Sequence, residues 1–136
     1  MRLDRLIGKW LEAGKRRTRA SFEAGEVLVN GEVAGIGAVQ IGKFDRVECR
    51  GEIVRNPTRR ALMLHKPSGV VSATIDEEHE TVIDLVREEW AGELHLAGRL
   101  DRFTTGLMIL TNDSRFSESL TGPGEMIGKR YLVEVD

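Results

Sequence analysis

"GRLDRFTTGLMILTND", residues 98–113, sets one carboxylate between two arginines and then turns abruptly into an apolar run. "LMILT" at 107–111, opened by Gly106 and closed by Asn112, reads as a strand. Asp101 therefore falls at a sheet edge, beside Arg99 and Arg102. A carboxylate within about 4–6 Å of an arginine has its pKa lowered by roughly 1–3 units. Such an aspartate stays ionised, which suits a nucleophile or an electrostatic stabiliser and not a general acid. Residue types alone leave a second role open: a structural aspartate in a turn that Thr104 and Thr105 close and Gly106 relieves.

Outward from this stretch, "LHLAG" before it predicts a short strand, and "NDSRFSESL" after it a helix capped by Asn112 or Asp113. "ALMLHKPSGVVSA" predicts a strand at 61–65, a structural loop around Lys66-Pro67-Ser68-Gly69, and a second strand. Val82, Leu85, Val86 and Trp90 recur at helical intervals and predict a helix over 81–90. "KRYLVEVD" alternates as a strand does, and the sequence stops inside it. A terminal strand leaves an unpaired edge, so the expectation is that a further carboxy-terminal segment or self-association covers it.

The amino-terminal part has another texture. Leu3, Leu6, Ile7, Trp10 and Leu11 predict an amphipathic helix over 2–12, stopped at Gly14. A second helix over 15–24 carries Lys15, Arg16, Arg17 and Arg19, with Arg19 sharing a face with Lys15 and Arg16. Clustered cations repel unless a partner neutralises them, and these four are the best phosphate-contacting candidates. "EVLVNGEVAG" signals a hairpin with a type I′ turn at Asn30-Gly31, and "DRVECRG" a further strand near residue 54. Gly35, Gly37 and Gly42 lack the strand-to-helix context of a phosphate loop and read as turns. "RNPTRR" reads as a linker, which divides the chain into 1–54, a linker at 55–60, and 61–136.

Composition narrows the function. With 136 residues, 40% hydrophobic and 31% charged, the chain is globular in class, with no apolar run of bilayer length and no secretory signal. A cytoplasmic location without membrane association is the expectation. Residues 1–60 hold 13 Lys and Arg against 8 Asp and Glu; the remaining 7 and 14 leave the second part acidic. A basic first section points to a polyanionic partner. Cys49 is the only cysteine, so there is neither an internal disulfide nor a cysteine zinc cluster. His65, His79 and His95 have no metal-ligand spacing, no second carboxylate flanks Asp101 as glycoside hydrolysis would want, and no nucleophile elbow is present.

The aspartate stretch resembles the signature of the RNA pseudouridine synthases, in the branch that includes the ribosomal small-subunit enzymes. "HKPSGVVSA" resembles the family's Asn-Lys-Pro-x-Gly loop, "LHLAGRLD" its approach to the aspartate, and "KRYLV" its Lys-x-Tyr strand. "RLDRLI", the basic second helix and "VLVNGE" resemble the alpha-L RNA-binding domain that this branch carries first. The resemblance implies an α+β chain: a small RNA-binding domain of two helices and a β-sheet, then part of the mixed, largely antiparallel catalytic domain. It implies that Asp101 is the catalytic aspartate, that Tyr131 packs against the target base, and that Arg99 and Lys129 help organise the site. The implied reaction isomerises a uridine of ribosomal RNA, free or in an assembly intermediate, with no cofactor and no metal. His65 stands where the family usually has Asn. The family continues past the Lys-x-Tyr strand into a late motif not found here, so the 136 residues alone are expected to show little or no activity. The rival expectation is a non-catalytic RNA-binding protein that keeps the first domain and part of the second.

Overall fold

In the computed structural model, which describes residues 1–35 and 39–135, the chain divides into two units, Met1–Thr58 and Arg59–Asp136. In the first unit, α1 (Leu3–Trp10) and α2 (Lys15–Glu23) precede four short strands: β1 (Val27–Val29), β2 (Glu32–Val33), β3 (Val47–Cys49) and β4 (Glu52–Arg55). The strands form one antiparallel sheet in the order β2-β1-β3-β4. Leu3 and Ile7 from α1 and Phe22 from α2 bury against Val27, Val47 and Cys49, so the predicted apolar helix face is the face that packs.

Two turns fix the sheet register. Asn30 (φ 53°) and Gly31 (φ 87°) make the expected left-handed pair between β1 and β2. Between β3 and β4 the same geometry recurs at Arg50 (φ 55°) and Gly51 (φ 78°), where the sequence reading saw only one strand. An arginine there is strained, and its side chain offsets the strain by donating to Glu26 at 2.8 Å and to the Ser21 hydroxyl at 3.1 Å. Of the three glycines read as turns, Gly37 lies outside the described residues.

The second unit is built on a three-stranded antiparallel sheet, β5 (Ala61–Lys66), β6 (His95–Ala97) and β7 (Gly106–Thr111), with β7 in the middle. Leu62 and Leu64 of β5, Leu96 of β6 and Met108 and Leu110 of β7 pack with Val70, Val82 and Leu94 into its core. Helix α3 (Ser114–Thr121) follows β7, and its cap is Asp113, whose carboxylate accepts from the Arg115 amide at 3.1 Å. Asn112 instead accepts from the Arg60 amide at 2.9 Å, and the Thr111 hydroxyl donates to the Arg60 carbonyl at 2.7 Å. Arg60 thus belongs to the second unit, and the connecting stretch is shorter than the expected 55–60 linker.

Three expected elements are absent. Residues 81–90 form successive turns, in which the Asp84 carboxylate accepts from both the amide and the hydroxyl of Thr81 at 2.8 Å. These side-chain bonds compete with helical ones, although Val82, Leu85, Val86 and Trp90 still face the core. The strand expected after Gly69 reduces to one parallel bridge, Val71 with Thr81. "KRYLVEVD" forms no strand among its described residues, which lie exposed with no ladder partner. No helix of the described residues is long and apolar enough to cross a membrane.

Candidate active site

Asp101 sits in the loop 98–105 that joins β6 to the central strand β7. Gly98 (φ 100°) and Gly106 (φ 146°) bracket this loop in conformations that side chains disfavour, which explains the glycine at each end of "GRLDRFTTG". The Thr104 amide donates to the Asp101 carbonyl at 3.1 Å and closes the turn.

The loop is fastened to the neighbouring segment 66–72 at two places. The Ser72 hydroxyl accepts from the Leu100 amide at 3.0 Å and donates to the Leu100 carbonyl at 2.6 Å. The Arg102 carbonyl accepts from the Gly69 amide and from the Lys66 ammonium, each at 2.9 Å. Lys66 is wholly buried, at 0% exposure, and also donates to the Pro67 carbonyl at 2.9 Å. Burial pushes its pKa below the ordinary lysine value, and the charge of Asp101 acts in the opposite direction.

Neither flanking arginine forms an ion pair with Asp101 among the described residues. The Arg102 guanidinium donates instead to the Gly69 carbonyl at 3.1 Å and lies over the Phe103 ring. Lys66, 35 positions earlier, is a buried cation whose charged form the Asp101 carboxylate favours. Lys66 ends β5 and does not sit in the expected loop; alternation along the strand puts it on the same face as the core residues Leu62 and Leu64. Ser72, the other fastening, carries no such pattern.

Beside the loop lies a cavity of about 500 Å³, lined among others by Arg99, Thr104, Thr105, Lys129, Arg130 and Tyr131. Its volume is typical of ligand sites, which run from roughly 300 to 1,000 Å³. The structure therefore brings Arg99, Lys129 and Tyr131 around one space. Asp101 is exposed on the adjoining turn and is not part of the lining, although its neighbour Leu100 is. Lys15, Arg16, Arg17 and Arg19 lie in the other unit, all exposed on α2. Arg19 pairs with Glu23 at 2.8 Å, while Lys15, Arg16 and Arg17 form no ion pair among the described residues. No three His, Cys, Asp or Glu of the described residues converge as metal ligands would.

Comparison with known proteins covers the stretch that carries this site. Ribosomal small subunit pseudouridine synthase A of Pseudomonas aeruginosa is 42% identical over an alignment of 137 positions, covering 100% of this chain and 60% of that protein. The protein of the same name from Yersinia pestis is 35% identical, with 100% and 58% covered. The chain thus spans about three-fifths of the length of these curated relatives. A crystal structure of a pseudouridylate synthase aligns with 92% of this chain and 54% of its own, at 32% identity and a TM-score of 0.47. The sequence profile of the RNA pseudouridylate synthases matches residues 60–136, the whole stretch from β5 through the Asp101 loop to the Lys-x-Tyr segment. On that match, which takes in more than half of its length, the chain belongs to the RNA pseudouridylate synthase family.

Proposed function

We propose that this chain supplies the RNA-holding unit and the catalytic aspartate for converting a uridine of ribosomal RNA, in the small subunit, to pseudouridine. The observation that carries this reading is the Asp101 loop, held by Lys66 and Ser72 and lining in part the same cavity as Tyr131, within a family match that covers it. The relatives named for the small ribosomal subunit support the choice of RNA.

The chemistry fits the groups present. Isomerisation breaks the bond between uracil N1 and ribose C1′, forms one between C5 and C1′, and moves the C5 hydrogen out as a proton while N1 gains one. Atoms and electrons balance without an oxidant or a reductant. The Asp101 carboxylate can attack C1′ or take the neighbouring ribose proton, and Tyr131 offers a face for the unstacked base. Removing a base from its stack costs a few kcal/mol, and stacking on an aromatic offsets about 1–3 of them.

In the first unit, Lys15, Arg16 and Arg17 crowd the first turn of α2, where no acidic residue stands. Cations at a helix N-terminus oppose the helix dipole, and a phosphate placed there relieves both unfavourable terms. On this reading the protein works in the cytoplasm on ribosomal RNA or an assembling particle. The test is a pseudouridine map of small-subunit RNA from wild-type cells and from cells lacking the gene. Loss of modification at one uridine is the expected result; an unchanged map overturns the proposal.

A further inference from the structure

We infer that Arg102 and Phe103 form a stacking platform for a nucleobase of unpaired RNA, outside the cavity that Tyr131 lines. The inference rests on the RNA reading above and adds a second contact to it. Phe103 stands two residues after Asp101 and is 73% exposed. The Arg102 guanidinium lies 5.2 Å from its ring centroid, so one face of the ring carries a cation and the rest meets solvent.

This pair is held in place. The Arg102 side chain donates to the Gly69 carbonyl at 3.1 Å, and its own carbonyl takes the Gly69 amide and the Lys66 ammonium. An aromatic fixed in water by its neighbours adds nothing to the core, and the turn closed from Thr104 to Asp101 needs no apolar residue there. The charge around it selects the partner. Arg99 and Arg102 outweigh Asp101 in this loop, although residues 61–136 hold 14 Asp and Glu against 7 Lys and Arg. A local positive spot with an exposed ring, inside an acidic unit, matches a strand that brings phosphates and flat bases together. Bases stack on phenylalanine and on guanidinium planes alike, and the contact tolerates any base identity. A pre-formed cation–π pair presents both surfaces without further ordering.

The experiment measures binding of two probes to the chain: a short oligouridylate, and an abasic ribose-phosphate strand of equal length. Phe103→Ala and Phe103→Leu should each weaken oligouridylate binding about 5- to 150-fold. Phe103→Trp should restore it, and its indole emission should be quenched as the strand binds. Abasic binding should be the same for all four proteins, and their thermal midpoints alike, because the ring is exposed. Oligouridylate binding by Phe103→Leu at wild-type strength would overturn the platform while leaving the RNA reading intact, since a merely apolar contact survives leucine. Equal losses on both strands would overturn it too. If the unsubstituted chain binds neither strand, the RNA reading itself falls and the platform with it.

Discussion

Replacing Ser72 by alanine removes one oxygen and with it both hydrogen bonds that hold Leu100, the residue before Asp101. Ser72 is almost fully buried, and its hydroxyl also lies 3.3 Å from the Met108 sulfur. A neutral hydrogen bond contributes about 0.5–1.5 kcal/mol net, so the pair is worth about 1–3 kcal/mol. If that energy holds the loop locally, its loss raises the population of loop-open molecules about 5- to 150-fold. Amide hydrogen exchange reads this directly. The Leu100 amide should exchange faster by that factor in Ser72→Ala. The Val82 amide, bonded to the Val71 carbonyl at 3.0 Å in the same unit, should change much less. An unchanged Leu100 rate, or equal acceleration at both amides, refutes the reasoning that this hydroxyl fastens the aspartate loop.

Lys66→Met removes the buried ammonium while keeping most of its volume. Because burial lowers the folded-state pKa of Lys66, wild type should gain stability relative to Lys66→Met as pH climbs from that lowered value toward about 10.4, the ordinary value. Urea midpoints at neutral and alkaline pH measure it, and a relative loss would contradict the burial. Asp84 is held below the usual carboxylate range by the Thr81 amide and hydroxyl. Its contribution is present above about pH 3.9 and lost as pH falls through the folded value, so Asp84→Asn should flatten the acid limb of the stability curve. The triple variant Lys15→Ala, Arg16→Ala, Arg17→Ala should weaken RNA binding and reduce its salt slope by about 2, at roughly 0.7 per phosphate contact on a single strand. An unchanged slope places the phosphates elsewhere.

Local chemistry was legible wherever it acted alone. Asn30-Gly31 demands its turn, Asn112-Asp113 a helix cap at one of the two, and Gly106–Thr111 its strand, because each depends on residues next to one another. Arg50-Gly51 escaped because arginine is a poor turn residue, and its anchors Glu26 and Ser21 lie more than twenty positions away. Residues 81–90 misled for another reason: buried positions at helical spacing also satisfy a chain of turns, and Asp84 tips the backbone toward turns. The site divided the same way. Asp101 and its two glycines stood out in one motif, but the pairing of Asp101 with adjacent arginines was a nearest-neighbour inference. The fold spends Arg102 on Gly69 and Phe103, and ties buried Lys66 to the Arg102 carbonyl of the aspartate loop, a contact that sequence spacing does not reveal.

The central claim is that the Asp101 carboxylate carries out the isomerisation, and Asp101→Asn at the chromosomal gene tests it most directly. The side chain keeps its size and loses only its charge and basicity. Because Asp101 is exposed and forms no ion pair among the described residues, the variant should still fold, losing only the favourable field that Asp101 exerts on the Lys66 ammonium. The account predicts that the variant protein accumulates normally, binds RNA as wild type does, and leaves the target uridine of small-subunit RNA unmodified. Pseudouridine at that position in the Asp101→Asn cells, at the wild-type level, would contradict it.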